Sequence, residues 1–408
     1  MLPEGCLSHT MQFVTTSPIL PPATIGILGG GQLGRMLGLA ARAMGYRIVV
    51  LDPDPECPAS AVADRVVVGA YDDVAAACLL AAQAAVVTYE LEHVGPEVVR
   101  AAAESVPVRP GLEPLRVTQD RLVERRFVEA AGMAVAPWRE VSTTEDLRAA
   151  AAELGMPLRF KATTGGYDGR SQIRIVTDRD LDGALARLGR PPGEAMLLER
   201  ELSFAAELSV IVARGTDGRT AVYPPARNTH DEGILVESLA PADLPAEALR
   251  AAVEIGEGLA AAMDLVGTLT AELFLLEDGS LAVNELAPRV HNSGHWTIEG
   301  AVTSQFEQHV RAICGLPLGS TAAHGPTAVV NVLGTGPART ARIEGMADAL
   351  GDPVIQVHLY DKHRVFDRRK MGHVTASGDS PDQALGRARA AGARLRWAES
   401  TNEEDATS

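Results

Sequence analysis

The first apolar segment of the chain runs directly into a cluster of glycines, and this feature constrains the fold most. Residues 24–28 (TIGIL) have the composition of a buried strand, and residues 29–34 (GGGQLG) are a glycine-rich turn. The alternation continues with a helix-like segment at 33–44, a strand at 47–51, a helix at 74–82 and a strand at 85–88. Strands that alternate with helices of this length predict a parallel sheet with helices on both faces. We therefore expect an N-terminal parallel α/β domain at 24–112.

The rest of the chain has a different pattern. Asp-Gly pairs at 217–218 and 278–279 separate strand-like segments and are strong hairpin signals. They predict a central domain at 113–320 with antiparallel strands, followed by a small β-rich C-terminal domain at 325–398. The whole chain is expected to be a mixed α/β protein, and its 408 residues are enough for several cores.

The composition limits the class of function. The net charge of −16 argues against a nucleic-acid partner, and no apolar run reaches the roughly 18 residues that a membrane-spanning helix needs. The four cysteines lie far apart without a CxxC pair, which is typical of reduced thiols in a cytoplasmic protein. Residues 1–23 lack Lys and Arg and are rich in Pro, and residues 399–408 are acidic, so we expect a disordered extension at each end.

The glycine turn fits the spacing GxGxxG, and Asp52 closes the next strand 21 residues after Gly31. Such a turn can bind the pyrophosphate of a dinucleotide at a helix N-terminus. It can also bind another anion or serve only as a tight connection between strand and helix. These alternatives stay open from the residues alone.

A second glycine cluster, TTGGYDGR at 163–170, follows Lys161. Backbone N–H groups and hydroxyls can wrap phosphate oxygens, and a lysine at the rim can neutralise them. Of the 37 Lys and Arg residues only Lys161, Lys362 and Lys370 are lysine, which indicates positions where a compact ammonium is needed. A flexible hairpin loop is the alternative interpretation.

The strands around Asp278-Gly279 predict a pair of opposed carboxylates. With a two-residue turn, Glu272 faces Glu285 with Cβ atoms about 4.5–5.5 Å apart. Opposed like charges destabilise a sheet, but Mg²⁺, or Mn²⁺ in its place, would turn the pair into a metal site. A solvated carboxylate pair is the alternative.

The same register has two further consequences. It pairs Phe274 with Val283 and Leu276 with Leu281, and both pairs are expected to be plain core. It also turns Asn284 to the opposite face of the hairpin, which leaves the role of that residue less certain.

Two polar segments complete the candidates. Arg289, His291 and Asn292 are suited to a small planar anion such as bicarbonate. Lys362 and the run at 368–370 (RRK) form a basic cluster in an acidic chain, which is typical of a site for a substrate phosphate. A polar capping loop and a solvated basic turn are the respective alternatives.

Four segments in this order, GGGQLGRML, TTGGYDGR, NELAPRVHNSGHWT and YDK…RRKMGH, resemble the ATP-grasp family that makes 5-(carboxyamino)imidazole ribonucleotide in purine biosynthesis. The resemblance covers residues 24–377. It implies an α+β ATP-grasp fold with a mobile lid at about 137–197. It also implies a ligase that uses ATP, Mg²⁺ and bicarbonate to carboxylate the amine of aminoimidazole ribonucleotide through carboxyphosphate. Members of the family are homodimers and pass their product to a separate mutase.

The resemblance also assigns roles by position. For ATP it implies Arg121, Lys161, Gly166, Tyr167, Asp168, Gly169, Arg170, Ser171, Gln172, Glu199, Arg200, Glu201, Leu202, Glu207, His230, Asn284 and Glu285. For catalysis on bicarbonate it implies Lys161, Arg289, His291 and Asn292, and for the metal Glu272 and Glu285. For the ribonucleotide it implies Gly31, Gln32, Leu33, Glu90, Tyr167, Asp168, Arg170, Lys362, Arg369 and Lys370, with the choice among Arg368, Arg369 and Lys370 open. Arg125 stands where relatives often carry Lys and is not counted as a site residue.

Three other functions remain open. One is an ATP-grasp ligase for a different carboxylate and amine, and another is a nucleotide-binding regulator without turnover. The third is a nicotinamide-dependent dehydrogenase, which rests on GxGxxG and Asp52. The dehydrogenase would leave the second glycine cluster and the pair Glu272 and Glu285 without a role.

Overall fold

The computed structural model of the chain describes residues 17–165, 171–189 and 193–399. Within these ranges it confirms a mixed α/β fold with a parallel N-terminal sheet, a central α+β region and a β-rich C-terminal region. The predicted site residues 166–170 and the predicted extensions at 1–16 and 400–408 lie outside the described residues. No helix of the described ranges is long and apolar enough to cross a membrane.

The N-terminal region contains β1 (Thr24–Leu28), α1 (Gln32–Ala43), β2 (Arg47–Asp52), β3 (Arg65–Val68), α2 (Val74–Ala81), β4 (Val86–Tyr89) and α3 (Pro96–Ala103). Its strands are parallel in the order β3-β2-β1-β4. Strands β1, β2 and β4 are buried along nearly their whole length, as expected of a sheet covered on both faces. Because β1 and β4 are parallel neighbours, the glycine turn after β1 lies beside the residues that follow β4.

The central region begins with α4 (Leu112–Gln119), α5 (Arg121–Ala130), β5 (Trp138–Val141), α6 (Thr144–Leu154), β6 (Leu158–Ala162), β7 (Gln172–Ile175), α7 (Asp178–Leu181), α8 (Ala184–Arg187) and β8 (Met196–Arg200). Strands β5-β8-β6-β7 form an antiparallel sheet with its own apolar core, which we name the small sheet. The Asp120 side chain accepts hydrogen bonds from the N–H groups of Leu122 and Val123. This cap starts α5 at Arg121.

The central region continues with β9 (Phe204–Arg214), β10 (Thr220–Val222), β11 (Ala226–Asp231), β12 (Ile234–Ala240), α9 (Ala246–Ala262), β13 (Gly267–Leu276), β14 (Leu281–Ala287), α10 (Thr297–Gly300) and α11 (Gln305–Ile313). The C-terminal region contains β15 (Thr327–Leu333), β16 (Arg339–Thr340), β17 (Ile343–Glu344), α12 (Met346–Ala349), β18 (Ile355–Leu359), β19 (Arg364–Val365), β20 (Lys370–Ser377), α13 (Pro381–Gly392) and β21 (Arg396–Trp397). Short 3₁₀ turns lie at Ser60–Val62 and Asn292–Gly294.

Strands of the central and C-terminal regions share one antiparallel sheet, which we name the large sheet. Its order is β14-β13-β9-β11-β12-β15-β20-β18, with β10 paired to β9. The link is the pairing of β12 with β15, which joins the two regions directly. Sequence patterns group strands by position along the chain, so this long-range pairing was not predicted. It connects the basic C-terminal segment to the strands that carry the carboxylate pair.

The β13–β14 hairpin brings Glu272 opposite Glu285, as predicted. The predicted two-residue turn is wrong, however. Leu275 pairs with Leu281, and residues 277–279 form a three-residue turn closed by a hydrogen bond from the N–H of residue 276 to the carbonyl of residue 280. A longer turn alone would shift the register by one residue.

A bulge at Asn284 restores the register, since Glu285 pairs with Glu272 while Val283 pairs with Leu273. The predicted pairs Phe274/Val283 and Leu276/Leu281 are therefore wrong. Phe274 pairs with Ala282 instead. The extra residue re-aims its own side chain and those around it.

The predicted disordered extension at 1–23 is wrong for its last residues. The N–H of Ile19 donates to the Cys314 carbonyl at 2.8 Å, and the Ile19 carbonyl accepts from the Tyr46 hydroxyl at 2.6 Å. Ile19 and Ala23 also pack against the apolar core around β1 and α1. Proline-rich composition concealed these anchoring contacts.

Candidate active site

A cavity of about 570 Å³ lies between the small sheet and the large sheet. Its lining residues are Arg121, Ala136, Arg159, Lys161, Ser171, Gln172, Glu199, Arg200, Glu201, Leu202, Phe204, Glu207, His230, Glu232, Gly233, Glu272, Phe274, Asn284 and Glu285. Every described residue that was predicted to contact ATP lies on this wall. The residues come from two sheets and a helix start, so only the tertiary fold brings them together.

One end of the cavity carries a cluster of cations around Glu199. The carboxylate of Glu199 on β8 pairs with the Lys161 ammonium from β6 and, at 3.0 Å, with Nη2 of Arg125 from α5. Burial alone would raise the pKa of Glu199, but Lys161 and Arg125 outweigh it and lower that pKa to about 2. Glu199 therefore stays ionised and fixes Lys161.

Two residues at this end have partners that the sequence did not predict. The Glu199 side chain is engaged by Lys161 and Arg125, and its place in a hinge strand against adenine stays a prediction. Arg125, which was not counted, is wholly buried and helps to hold Glu199 in place. The Arg200 guanidinium turns back to donate to the Leu154 carbonyl at 2.8 Å.

The carboxylate pair lies on the facing wall. Burial raises the pKa of Glu272 to about 7, with the charge of Glu285 adding to burial and that of His230 opposing it. Burial also raises the pKa of Glu285, but Arg121 and Lys161 reverse the shift, so its pKa lies below the ordinary value. One carboxylate of the pair is thus stabilised by cations, while the other is held against a like charge.

Asn284 lines the cavity beside this pair, because the bulge turns it away from the predicted opposite face. Within the described ranges, no group of three or more His, Cys, Asp or Glu residues is placed to hold a metal ion. Two carboxylates and an amide oxygen fit a hard cation that takes its remaining ligands from a bound molecule such as a polyphosphate.

The other end of the cavity is partly aromatic. The rings of Phe204 and Phe274 stack with centroids 4.6 Å apart and planes 11° apart, and both residues line the cavity. Nearby, Glu207 Oε2 lies 2.8 Å from His230 Nδ1. The regular hairpin register had assigned Phe274 to the core, so this wall was missed. A flat aromatic surface of this kind suits a heterocyclic ring.

Residues 289–292, which we name the anion loop, follow β14. Arg289 Nε lies 2.8 Å from Glu92 Oε1, a residue after β4 that was not predicted. Gln305 brackets the loop, since its Oε1 accepts from the His291 N–H at 3.0 Å and its Nε2 donates to the His291 carbonyl at 2.6 Å. The loop is therefore fixed from both the N-terminal region and α11.

His291 links the anion loop to the carboxylate pair. Its Nδ1 accepts from the N–H of Ser293 at 3.3 Å, so the neutral ring carries its proton on Nε2, which lies 3.7 Å from Glu272 Oε1. Burial lowers the pKa of His291 well below the ordinary value, and the charges of Arg289 and Lys370 lower it further. The imidazole is therefore neutral, and its Nε2–H lies near Glu272 without a hydrogen bond to it.

The glycine turn does not present an open anion site. The Glu90 carboxylate accepts from the N–H groups of Gly31 at 2.7 Å and Gly34 at 2.9 Å, and Asp52 accepts from Gly30 at 2.8 Å. A Cβ on Gly31 would lie 2.5 Å from Glu90 Oε1, which explains glycine at that position. Because the chain's own carboxylates occupy these donors, the dinucleotide interpretation does not fit the structure.

Residues that were predicted to bind the ribonucleotide come together from the N-terminal and C-terminal regions. Lys362 Nζ donates to Gln32 Oε1 at 2.8 Å and to the Lys370 carbonyl at 2.5 Å. Lys370 begins β20, and its charge adds to the lowered pKa of His291, after burial and Arg289. Lys362 and Lys370 thus belong to one cluster with the start of α1.

The other predicted residues of this group lie differently. Arg368 Nη1 pairs with Asp231 Oδ2 at 3.0 Å, and the Arg369 guanidinium lies 5.0 Å from the centre of the Phe366 ring. The side chain of Leu33 packs in the apolar core, so only its backbone could meet a substrate. Larger effects raise the pKa of Glu272 and of His230 in the cavity, and the charge of Lys370 opposes that rise. The choice among Arg368, Arg369 and Lys370 stays a prediction.

Three known domain families match the sequence of this chain. The profile of the ATP-grasp domain matches residues 126–306, that of the ribonucleotide synthetase preATP-grasp domain matches 22–119, and that of the phosphoribosylaminoimidazole carboxylase C-terminal domain matches 327–387. A polar cavity between two antiparallel sheets, together with these matches, defines an ATP-grasp enzyme.

Individual relatives narrow the class further. N5-carboxyaminoimidazole ribonucleotide synthase from Brucella melitensis is 42% identical over 357 residues, which cover 87% of this chain and 96% of the relative. The structure of an ADP complex of N5-carboxyaminoimidazole ribonucleotide synthetase is 41% identical with a TM-score of 0.85, covering 92% and 98% of the two chains. The Aspergillus clavatus synthase in complex with ADP and 5-aminoimidazole ribonucleotide is 31% identical with a TM-score of 0.81, covering 90% and 97%. The chain belongs to the N5-carboxyaminoimidazole ribonucleotide synthase family.

Proposed function

We propose that this chain uses ATP to join bicarbonate to the exocyclic amine of 5-aminoimidazole ribonucleotide, which gives 5-(carboxyamino)imidazole ribonucleotide for purine biosynthesis. The observation that carries the proposal is the juxtaposition of three features. Lys161 and the pair Glu272 and Glu285 line the same cavity. The anion loop lies next to this wall, since His291 Nε2 is 3.7 Å from Glu272 Oε1. Phosphoryl transfer to a small anion needs this combination of charges.

ATP would lie along the cavity. The stacked rings of Phe204 and Phe274, with the strand end at Glu201–Leu202, provide the wall for adenine, and the pair Glu207 and His230 would meet the ribose. Lys161 and Arg121 would then meet the phosphates. Lys161 is held by Glu199 before any ligand binds, so its charge needs little reorganisation during the reaction.

Glu272, Glu285 and Asn284 fit Mg²⁺, because their oxygen atoms face the same space and a cation would relieve the opposition of two carboxylates. The ion would neutralise charge on the phosphates when bound.

The first step forms a bond between a bicarbonate oxygen and the γ-phosphorus of ATP, while the bond to the β-phosphate oxygen breaks and ADP leaves. Arg289, Asn292 and the neutral His291 would hold bicarbonate and the resulting carboxyphosphate. In the second step the amine nitrogen attacks the carboxyl carbon, and phosphate leaves with the bridging oxygen. The proton that the amine loses goes to the departing phosphate, so the products are the carbamate and hydrogen phosphate.

The ribonucleotide would lie between the anion loop and the C-terminal cluster. Lys362 and Lys370 are proposed to hold its phosphate, since both belong to the cluster beside Gln32 and the anion loop. Within the second glycine cluster, residues 166–170 are proposed to cover the phosphates and the ribonucleotide. Excluding water matters because carboxyphosphate hydrolyses readily.

A homodimer, a cytoplasmic location and delivery of the product to a separate mutase are part of this proposal. The compound made is a carbamate, which loses its carboxyl group readily, so an enzyme that moves the carboxyl group onto carbon has to follow. Gel filtration with light scattering of the full chain tests the dimer directly.

The test of the function is ADP formation from ATP and Mg²⁺ with bicarbonate, with and without aminoimidazole ribonucleotide. We expect turnover that requires bicarbonate and rises with the ribonucleotide, together with a product that contains one added carboxyl group by mass. Turnover with another amine but not with the ribonucleotide would instead indicate a different ATP-grasp ligase. Bound ATP without turnover would indicate a regulator.

A further inference from the structure

Three stacked imidazoles, which we name the histidine stack, lie where the central and C-terminal regions meet. The ring of His373 on β20 stacks on His295 and on His358, with centroids 4.6 Å apart in each case and planes 25° and 20° apart. His295 directly follows the 3₁₀ turn Asn292–Gly294, and His358 is the cross-strand partner of His373. His295 and His373 are fully buried. The stack thus joins the end of the anion loop to two C-terminal strands.

Tyr360 connects the histidine stack to the lysine cluster. Its hydroxyl is hydrogen-bonded to His373 Nδ1 at 2.8 Å, and its ring meets that of His295 at 5.9 Å between centroids. The Lys362 ammonium lies 5.6 Å from the centre of the Tyr360 ring, within the range of a cation–π interaction. Lys370 begins the strand that carries His373. Each lysine proposed to hold the ribonucleotide is therefore attached to the stack.

The imidazoles of His295 and His373 destabilise the folded state at these positions, because some of their ring nitrogens are buried without a partner in the described part of the chain. Both ring nitrogens of His295 and Nε2 of His373 are buried without a hydrogen-bond partner among the described residues. Burying such a polar atom unpaired is unfavourable, and an apolar ring of similar shape would avoid that penalty. Buried polar atoms that are not satisfied call for an explanation other than packing.

Burial keeps the rings of His295 and His373 uncharged. It lowers the pKa of His295 to about 3, with the charges of His358 and Lys370 adding to the effect, and it lowers the pKa of His373 well below the ordinary value. At its exposed end the stack is held by Glu299, whose Oε1 lies 2.7 Å from His358 Nε2. Neutral rings can pack face to face without the repulsion that imidazolium ions would have.

We propose that the histidine stack and Tyr360 are positioning residues that set the spacing between the anion loop and the lysines Lys362 and Lys370. This proposal rests on the proposed function, in which the anion loop holds carboxyphosphate and the lysines hold the ribonucleotide. The amine has to come within about 3–3.5 Å of the carboxyl carbon for transfer, and a misplacement of about 1 Å can cost 100-fold. If the spacing loosens, water takes the carboxyphosphate before the amine does, and ATP is consumed without product.

The test is the number of ATP molecules consumed for each ribonucleotide carboxylated, measured with the full-length enzyme. Tyr360→Phe deletes only the hydroxyl that holds His373, and His373→Phe keeps a stacking ring but loses the hydrogen bond. We expect both variants to raise this ratio by about threefold or more, with an unchanged KM for ATP. His309→Phe is the matched control, because His309 is also a buried imidazole bonded to a hydroxyl, at 2.8 Å from Thr88 Oγ1. It should lower the melting temperature and leave the ratio at the wild-type value.

The outcomes separate two failures. A wild-type ratio in folded Tyr360→Phe and His373→Phe enzymes, whatever their melting temperatures, would overturn the positioning role while leaving the proposed function intact. No ribonucleotide carboxylation by the wild-type enzyme would overturn the proposed function and this inference with it. Should His373→Phe not fold, Tyr360→Phe decides alone, since the loss of one oxygen preserves the ring packing.

Discussion

Two carboxylates lie close together at each of two places in this molecule, but their hydrogen-bond partners differ between the two places. At the glycine turn, Glu90 accepts backbone hydrogen bonds at 2.7 and 2.9 Å and Asp52 accepts one at 2.8 Å. At the β13–β14 hairpin, Glu272 and Glu285 face one another, and the polar groups beside them, His291 Nε2 and Arg121 Nη1, lie at 3.7 and 3.5 Å. The chain itself satisfies the first set, while the second set faces a cavity. A sequence motif for charge indicates a ligand where the fold turns that charge toward a cavity, as at Glu272 and Glu285, and not where backbone N–H groups of the chain already bind it.

The largest effect is expected when one charge is removed from the pair Glu272 and Glu285. Glu285→Gln should lower kcat/KM for ATP by on the order of 100-fold or more, because a ligand for Mg²⁺ is lost while the fold keeps its packing. The measurement is ADP release over a range of Mg²⁺ concentrations, with the melting temperature as a check on folding. Glu277→Gln, in the exposed turn of the same hairpin, is the control and should behave as wild type. Near-normal turnover of Glu285→Gln at ordinary Mg²⁺ would contradict the metal assignment.

Lys161→Arg tests the cation that faces the same cavity. A planar guanidinium is larger than the ammonium held by Glu199 in this buried position, so we expect a loss of about 10- to 100-fold in kcat/KM for ATP. Arg139→Lys, at an exposed position on the small sheet, should leave ATP kinetics unchanged. Wild-type ATP kinetics for Lys161→Arg would show that a compact ammonium is not required.

Lys362→Arg should affect a different substrate. Its proposed partner is a peripheral phosphate that is present in ground and transition states alike, so the KM for the ribonucleotide should rise by about 10-fold while the KM for ATP stays constant. Steady-state kinetics with each substrate varied in turn makes the comparison. A change confined to ATP kinetics would show that the C-terminal lysines have been assigned to the wrong ligand.

Glu90→Gln tests the carboxylates at the glycine turn, which accept hydrogen bonds from the chain's own backbone. The amide can offer only one oxygen to the N–H groups of Gly31 and Gly34, so one donor loses its partner or meets an NH₂ group. We expect the free energy of unfolding to fall by about 1–3 kcal/mol, measured by urea denaturation. Glu104→Gln on the surface should have no such effect. Unchanged stability would mean that the glycine turn does not depend on this carboxylate.

The smallest expected effect is a pH dependence of the free energy of unfolding. It comes from His309, another side chain whose partners belong to the chain itself. His309 lies between Thr88 and Thr268, and burial lowers its pKa to about 3, against about 6.5 for an unfolded chain. Below pH 6.5 the unfolded chain binds a proton that the folded chain does not, so the free energy of unfolding falls by about 1.4 kcal/mol for each pH unit. His309→Gln lacks this contribution.

The difference in stability between wild type and His309→Gln should therefore shrink as the pH falls from 7.5 to 5.0. Urea denaturation at both pH values measures it, and other titrating groups cancel in the difference between the two proteins. A difference that stays constant across this range would show that His309 is protonated in the folded state.

The hairpin illustrates what the sequence could and could not predict. The pairing of Glu272 with Glu285 was predicted correctly, but from a turn one residue too short, and the unpredicted bulge at Asn284 cancelled that error. Turn residues indicate where a hairpin bends. They do not specify a bulge, which depends on neighbouring strands and on what the re-aimed side chain meets.

Other misses have the same origin. Phe274 faces the cavity because it lies two residues from Glu272 on β13. Phe204 joins it because β9 lies beside β13, which is a property of the assembled sheet. Arg125 and Glu92 became visible only as partners of Glu199 and Arg289. Local patterns located the first helix, predicted at 33–44, and the second strand, predicted at 47–51, within one residue of their observed bounds, since periodicity and turn chemistry are local. Partners distant in sequence required the tertiary structure.

The central claim is that bicarbonate is phosphorylated before the amine attacks it. With ¹⁸O-labelled bicarbonate, one of its oxygens bonds to the γ-phosphorus and remains on phosphate when the amine takes the carbon. Mass spectrometry of the phosphate released by the wild-type enzyme in the presence of aminoimidazole ribonucleotide measures this directly. The account predicts one labelled oxygen in phosphate for each ribonucleotide carboxylated. Unlabelled phosphate alongside carboxylated product would contradict it.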